Sequence, residues 1–244
     1  MTGKRMRLTA DETAMVEAFR VSREQNQRRY MILPDLHAPF IREDAFEYVK
    51  RYAEKYQITD FACTGDVIDF HKSSFHTSEV DSMNADAELE AAIKQLKPWH
   101  DEFPNMKISA GNHDEIPTRK FKEAGLSSRI MRPFNEILEV PTWDFQIVQD
   151  LGHNTELHHG IGRAAHTMAK EEGKNIIMGH KHSKTFIMQN YYKMYDILFA
   201  MQLGALFDPK AYAARYSRGG ASSIPSIGFL FENDDYWIPF FKIM

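Results

Sequence analysis

The sequence predicts an α/β protein whose chemistry sits at the ends of its strands. Short apolar runs recur, and each ends in a carboxylate, an amide or an imidazole. Residues 30–34 lead to Asp35 and His37, and residues 61–64 lead to Gly65-Asp66. Residues 106–110 lead to Gly111-Asn112-His113-Asp114, a run at 154–158 leads to His158-His159-Gly160, and residues 175–178 lead to Gly179-His180-Lys181-His182. Stretches of helical period separate the runs in the first half, and a strand, helix, strand order favours right-handed parallel units. Loops at strand ends are where a rigid sheet displays functional groups, so runs that end alike describe strand ends meeting at one site.

Size and composition narrow the class. The chain has 244 residues, 43% of them apolar, enough for one substantial core. Residues 1–29 read as a basic N-terminal arm or accessory helix. Residues 30–244 read as the main domain, with 207–226, which holds Pro209, Gly219, Gly220 and Pro225, as an inserted loop. The 30 Lys and Arg against 34 Asp and Glu give a net charge of -4, which excludes a general nucleic-acid coat. A single Cys63 excludes an internal disulfide framework and fits a reducing interior. No apolar stretch approaches the roughly 18 to 20 residues that span a bilayer, and no apolar signal region follows the N-terminal charges. The expected location is cytoplasmic, without a membrane partner. The oligomeric state is left open.

The elements follow in order. Residues 1–30 carry seven positive and four negative side chains. Thr9-Ala10-Asp11-Glu12 has the capping-box pattern, and Met15 and Phe19 mark an apolar face. A solvated helix docked beside the core is the simpler reading; a nucleic-acid arm is the sharper one. The first strand, 30–34, stops at Pro34, and Pro39 keeps the next connection out of helix. Residues 42–56 form a helix with Ala45, Phe46, Val49 and Tyr52 on one stripe, and 60–64 supply the second strand. The polar stretch 70–82 holds His71 and His76, either lining the site entrance or decorating a loop. A helix at 84–96 is limited by Pro98, and 106–110 form the third strand. Residues 115–132 are basic, with Arg119, Lys120, Lys122, Arg129 and Arg132.

The second half is richer in strands, at 145–148, 154–158 and 175–178, with a helix over 161–171. A hairpin of 185–189 and 194–199 is expected to turn at Asn190-Tyr191-Tyr192. Closing strands at 227–231 and 237–241 flank an acidic turn. This aromatic C-terminal segment is expected to seal the second sheet or to form a subunit contact. Met178 and Met188 suit core strands.

Asp35, His37, Asp66, Asn112, His159, His180 and His182 form a mixed oxygen and nitrogen donor set. A carboxylate can bridge two cations, and histidines suit zinc, iron or manganese. Two metals about 3.5 to 4 Å apart bind a phosphate ester, activate water and neutralise the growing charge of an in-line attack. A metal-activated hydroxide then supplies the nucleophile, so Cys63 is read as buried packing. No glycine-rich GxxxxGK loop is present. Asp-x-His and His-x-His are weak signals alone. Their order with Gly-Asp, Gly-Asn-His-Asp and His-Gly is a stronger one.

In that order the blocks resemble the calcineurin-like metallophosphoesterase superfamily over roughly residues 30–190. The resemblance implies a four-layer αββα sandwich with two mixed β-sheets and a dinuclear metal centre. Asp35, His37, Asp66 and His182 would hold the first ion; Asp66, Asn112, His159 and His180 would hold the second. His113 would contact the scissile phosphate or donate a proton to the leaving oxygen, with Asp114 orienting it. Two divalent or transition-metal ions are implied, manganese foremost, with iron, zinc, nickel or magnesium as alternatives.

Small members of the superfamily include DNA-repair-like exonucleases, so the expected activity is that of a phosphodiesterase or nuclease acting on DNA. The alternatives are a phosphomonoesterase acting on a nucleotide, a small phosphate ester or a phosphoprotein, and a noncatalytic metal-supported interaction module. Arg119, Lys120, Lys122 and Arg129, with Tyr212, Arg215, Tyr216 and Arg218, would build a positive, aromatic rim along a nucleic-acid backbone. Asp69 either tunes the metal ligands or caps its turn. Strand alternation points His158 and His159 apart. Family matching favours His159 as the ligand, leaving His158 to pack, to bond the backbone or to touch substrate.

Overall fold

The structure, a computed structural model, describes residues 9–73, 83–160, 162–193, 196–211 and 223–244, with the backbone alone at 128, 190–193 and 196. Alternation along β1 (Arg29–Leu33) sets the layering, because every residue of this strand is buried. Met31 and Leu33 join a core shared with helices, whereas Tyr30 and Ile32 join a second core shared with another sheet. A period of two on a strand buried on both faces dictates that division.

The first sheet has the order β11 (Tyr236–Ile243), β10 (Ser226–Asn233), β1, β2 (Asp60–Cys63), β3 (Met106–Ser109), β4 (Asp144–Gln146). Strands β1 to β4 run parallel, and β10 pairs antiparallel with both β1 and β11. The second sheet has the order β5 (Val148–Gly152), β6 (Thr155–His158), β7 (Asn175–Met178), β9 (Asp196–Gln202), β8 (Phe186–Lys193), with β6, β7 and β9 parallel.

Outside the first sheet lie α1 (Ala10–Glu24), α2 (Ala45–Lys55) and α3 (Ala85–Glu102), which contribute Met15, Ala18, Ala45, Val49, Ala92, Leu96 and Trp99 to its outer core. Between the sheets, Ile32 and Ala62 meet Leu157, Ile177 and Met201. Outside the second sheet, α6 (Ala165–Glu172) packs Ala165, Met168 and Ala169 on Ile176, Met178 and Ala200. The four layers are α, β, β, α, with both sheets mixed, as expected. Two short helices, α4 (Ile116–Glu123) and α5 (Phe134–Ile137), lie in the connection from β3 to β4.

Several local expectations give way. Pro98 does not end its helix: α3 runs through it to Glu102. A proline inside a helix costs about 3 kcal/mol, but Trp99 and Phe103 just beyond it are each only 2% exposed, and their burial offsets that cost. The single strand expected at 145–148 is two strands in different sheets. Gln149 pins the crossing, its buried amide donating to the carbonyls of Ile108 at 3.1 Å and Asp144 at 2.8 Å. Asn190 and Tyr191 are strand residues of β8, paired with Leu198 and Ile197, so the hairpin turns later than expected. The aromatic C-terminal strands close the first sheet rather than the second, since Phe231 registers with Arg29. Met188, on an edge strand, is exposed rather than in the core. The capping box is present, with the Thr9 hydroxyl accepting from the Glu12 backbone and the Glu12 carboxylate accepting from the Thr9 backbone. Among the described residues no helix is long and apolar enough to cross a membrane.

Candidate metal centre

The strands β1, β2 and β3 of one sheet and β6 and β7 of the other end at a common edge, and the loops beyond them converge. Asp35 and His37 follow β1, Asp66 and Asp69 follow β2, Asn112 and His113 follow β3, His159 follows β6, and His180 and His182 follow β7. Close approach of the loops requires glycine at two positions. A Cβ on Gly111 would strike the Asp66 carboxylate, and one on Gly179 would strike Asp35 and Thr64.

Hydrogen bonds fix which face each group turns to the centre. His37 places Nδ1 2.7 Å from Asp69 Oδ1, and His159 places Nδ1 2.9 Å from the Thr64 carbonyl. Each Nδ1 therefore donates, which turns Nε2 inward. His37 Nε2 lies 3.1 Å from His182 Nε2. His159 Nε2 lies 3.0 Å from Asn112 Oδ1 and 3.1 Å from His180 Nδ1. Asp35 Oδ1 accepts from Thr64 at 2.7 Å, while Oδ2 accepts the His180 backbone N–H at 2.8 Å and lies 3.1 Å from His182 Nε2.

Asp66 occupies the middle. Its Oδ1 accepts the His113 backbone N–H at 2.8 Å, which leaves Oδ2 for the centre, 3.2 Å from His159 Nε2 and 3.8 Å from His37 Nε2. Donor atoms thus gather as one triad of Asp35, His37 and His182 and another of Asp66, His159 and His180. Lone pairs facing lone pairs in a buried space are unfavourable unless positive charge lies among them. Nitrogen and carboxylate oxygen in this mixture suit divalent cations.

Charge at the centre points the same way. Burial opposes ionisation of Asp66, yet His159, His113 and His37 hold its carboxyl well below the usual range. Burial likewise opposes the imidazolium of His159, but Asp66 and Asp35 outweigh it and push the pKa up to about 10. The paired carboxylates therefore draw a cation or a proton to this spot. Burial pushes the His37 and His180 pKa values down, which keeps both available as neutral ligands.

His113 is buried beside the triads, its ring 4.9 Å from that of His37, and its Nδ1 donates to the Asp69 carbonyl. Burial lowers its pKa, but Asp66 and Asp69 prevail and raise it. Asp114 departs from the expectation that it would orient this ring. Its Oδ1 accepts the Val67 N–H at 2.9 Å and its Oδ2 accepts the Gly111 N–H at 2.9 Å, so it clasps two loops together. Its pKa rises to about 7, first through burial and then through Asp66. Asp69 does what was expected of Asp114, meeting His37 through its side chain and His113 through its backbone. The sequence signal for it was its spacing, three residues after Asp66, which a turn cap shares.

The rim residues divide. His158 turns away from the triads to Glu156, 3.0 Å distant, as alternation demands. His71 is not at an entrance. It is buried, its Nδ1 3.9 Å from Asp69 Oδ2, and its backbone N–H donates to the buried Glu88. Lys120 pairs with Glu123 on α4, and Arg129 is exposed beyond that helix. Arg119 is half-buried on the same helix. His76, Tyr212, Arg215, Tyr216 and Arg218 lie outside the described residues. Cys63 is fully buried, and burial pushes its thiol pKa up, which suits packing.

The family model for calcineurin-like phosphoesterases matches residues 28–212. Comparison with curated proteins gives no match. Among solved structures, vacuolar protein sorting 29 from Cryptosporidium parvum is similar, with 14% identity, 89% of this chain and 97% of that one covered, and a TM-score of 0.45. Its counterpart from Chaetomium thermophilum has 12% identity, coverage of 89% and 95%, and a TM-score of 0.43. A single mutant of the protein from Entamoeba histolytica has 13% identity, coverage of 88% and 99%, and a TM-score of 0.42.

Proposed function

This chain belongs to the calcineurin-like phosphoesterase family, and on that premise we propose that it is a dinuclear metal-dependent hydrolase of phosphate esters. The observation that carries the proposal is the position of Asp66 Oδ2, within 3.2 Å of His159 Nε2 and 3.8 Å of His37 Nε2. One oxygen between two imidazole-rich triads is what a shared ligand of two ions requires. Asp35, His37, Asp66 and His182 would hold one ion, and Asp66, Asn112, His159 and His180 would hold the other. When bound, the ions supply Lewis acidity, which polarises the ester and makes water a nucleophile near neutral pH. Manganese, iron and zinc suit this donor set best.

The protein's own side chains do the rest. Asp69 and the Thr64 carbonyl lock two imidazoles in the ligating tautomer. His113 holds a proton beside the triads and is suited to contact the phosphate or to protonate the leaving oxygen. The raised pKa of this ring keeps that proton in place. Asp114 maintains the distance between the Asp66 and Asn112 loops. The buried Met15 and Ala18 support α1 as a docked accessory to the domain at 30–244. The buried, lone Cys63 supports a reducing, cytoplasmic setting.

Nuclease action on DNA is a narrower form of this reading, and its support is the basic segment 115–132. There Lys120 pairs with Glu123 and Arg132 with Glu136, which diminishes the positive field offered to a polyanion. Hydrolysis of a small ester is therefore the form we favour. The test is turnover of matched phosphate mono- and diesters, with labelled single- and double-stranded DNA, by metal-reconstituted protein beside its His113→Ala variant. Small esters should turn over, and the variant should be slower by about 10²- to 10⁴-fold, the scale of positioned acid-base chemistry. DNA cleavage lost in the variant would establish the nuclease instead. No turnover of any ester with two ions bound would overturn the enzyme reading.

A further inference from the structure

A cavity of about 170 Å³ shares a wall with the triads. His159, whose Nε2 faces Asp66 and Asn112, also lines this cavity, and so does Ala110, immediately before Gly111-Asn112. Its interior is made by Met168 and Met178, which are 6% and 2% exposed, and Ile147 stands at its rim, 63% exposed. Gly160 lies on Met178 so closely that a Cβ would come within 3.1 Å of its sulfur. Thioethers are polarisable and favour contact with aromatic ring edges.

Arg163 and His158 of the lining are already engaged. Arg163 Nη1 lies 2.9 Å from Glu171 and its Nη2 3.1 Å from Glu172, and His158 is tied to Glu156. Glu115 is exposed at the same mouth. Arg163 and Glu115 put one charge of each sign at the lining, and the cation is taken up by Glu171 and Glu172, which leaves little positive field there for the next phosphate of a nucleic-acid strand. Apolar depth and a volume suited to a single ring select a short, uncharged group.

We propose that this cavity receives the organic substituent of the phosphate ester, and that the substituent is one uncharged aromatic ring rather than a polynucleotide. The inference rests on the phosphate-ester reading above and adds the identity of the group beside the phosphate. His159 couples the two, since one face of the residue belongs to the donor triad and another to the cavity wall. Ile147 is then a specificity-determining residue at the mouth.

The test is calorimetric binding of phenylphosphonate and methylphosphonate, neither of which is hydrolysed, to manganese-loaded protein and to its Ile147→Trp variant. Ile147 is exposed and outside the donor set, so the substitution obstructs the mouth and leaves the fold intact. Phenylphosphonate should bind about ten-fold or more tightly than methylphosphonate, the scale expected from burying a ring's apolar surface. Ile147→Trp should remove that preference and leave methylphosphonate affinity unchanged. A second variant, Met168→Ala, should weaken phenylphosphonate alone. Equal affinity of the native protein for the two ligands, or a preference that survives Ile147→Trp, overturns the inference and leaves the phosphate-ester reading standing. Binding of neither phosphonate strikes the phosphate-ester reading itself, and this one with it.

Discussion

Asp69→Asn keeps the size of a fully buried side chain and removes its charge. The Asp69 carboxylate lies 2.7 Å from His37 Nδ1, whereas the partners of His159 are Thr64, Asn112, His180 and the Asp66 and Asp35 carboxylates. A hydrogen bond to a charged acceptor is worth about 1.5–3 kcal/mol and a neutral one roughly 0.5–1.5 kcal/mol. The difference, on the order of 1 kcal/mol, acts on the ion that His37 holds and amounts to several-fold in affinity. Loss of an outer partner of a ligating histidine commonly weakens metal binding by about 10- to 100-fold, so we expect a value near the lower end of that range. The other ion should keep its affinity within about two- to three-fold, the error of treating distant groups as independent. Competition with a chromogenic chelator resolves the two binding steps. Equal weakening of both steps, or of neither, would refute the assignment of Asp69 to one half of the centre.

Ile32→Ala opens the layer between the sheets at a residue with no exposure. It should cost about 2–5 kcal/mol and lower Tm by roughly 5–15 °C in a protein of this size, measured by thermal and urea unfolding. Glu232 accepts from Arg28 at 2.8 Å and from His153 at 2.6 Å, and these partners hold its pKa down to about 2 despite partial burial. Since that value lies below the unfolded one, its stabilisation is present above about pH 4.3 and is lost as pH falls toward 2. Glu232→Gln should cost about 1 kcal/mol at pH 7, after solvent screening, and should flatten the acid limb over that window. Metal at 1,000 times its Kd should stabilise the fold by about 4 kcal/mol, which is a rise in Tm of roughly 8–16 °C. Asp66→Asn should show less than half of that rise, and a native Tm indifferent to chelator would exclude the centre.

The layering was legible because it rests on periods. Met31 and Leu33 against Tyr30 and Ile32 is an alternation any reader of β1 can write down, and five strand ends with polar residues announce a shared edge. Placement within the edge was less legible. Asp69 and Asp114 are both carboxylates near His113 in sequence, and spacing cannot tell which one meets an imidazole. The choice depends on backbone N–H groups: those of Val67 and Gly111 need an acceptor between two loops, and Asp114 alone is between them. Pro98 was misleading because helix propensity is local, whereas Trp99 and Phe103 answer to the sheet beneath. Ile147 sits where the chain leaves one sheet for another, a switch that Gln149 enforces through contacts distant in sequence. His71 looked like a loop residue because its partner, Glu88, lies on the next helix.

Backbone conformation supplies the step from strand ends to a donor cluster. His37, Asp66 and His180 have φ of 55°, 44° and 64°, the left-handed region that non-glycine residues seldom occupy. A side chain at the end of a strand would ordinarily continue its up-and-down alternation and miss the neighbours in the other sheet. Reversing φ at these positions, one after each of β1, β2 and β7, turns the chain so that all three donors face one volume. Each such residue costs on the order of 1 kcal/mol or more, and the cost adds to that of bringing buried carboxylates and imidazoles together. Neither burden helps the fold by itself, although Leu36, Ala38, Val67 and Ile68 of the same loops are buried in the outer core. Positive charge beside the Asp66 carboxylate would relieve the like-facing lone pairs of the same residues that carry the strain. That coincidence ties the geometry of the loops to metal binding more closely than the donor inventory does, because an inventory of the same residues in relaxed loops would not converge.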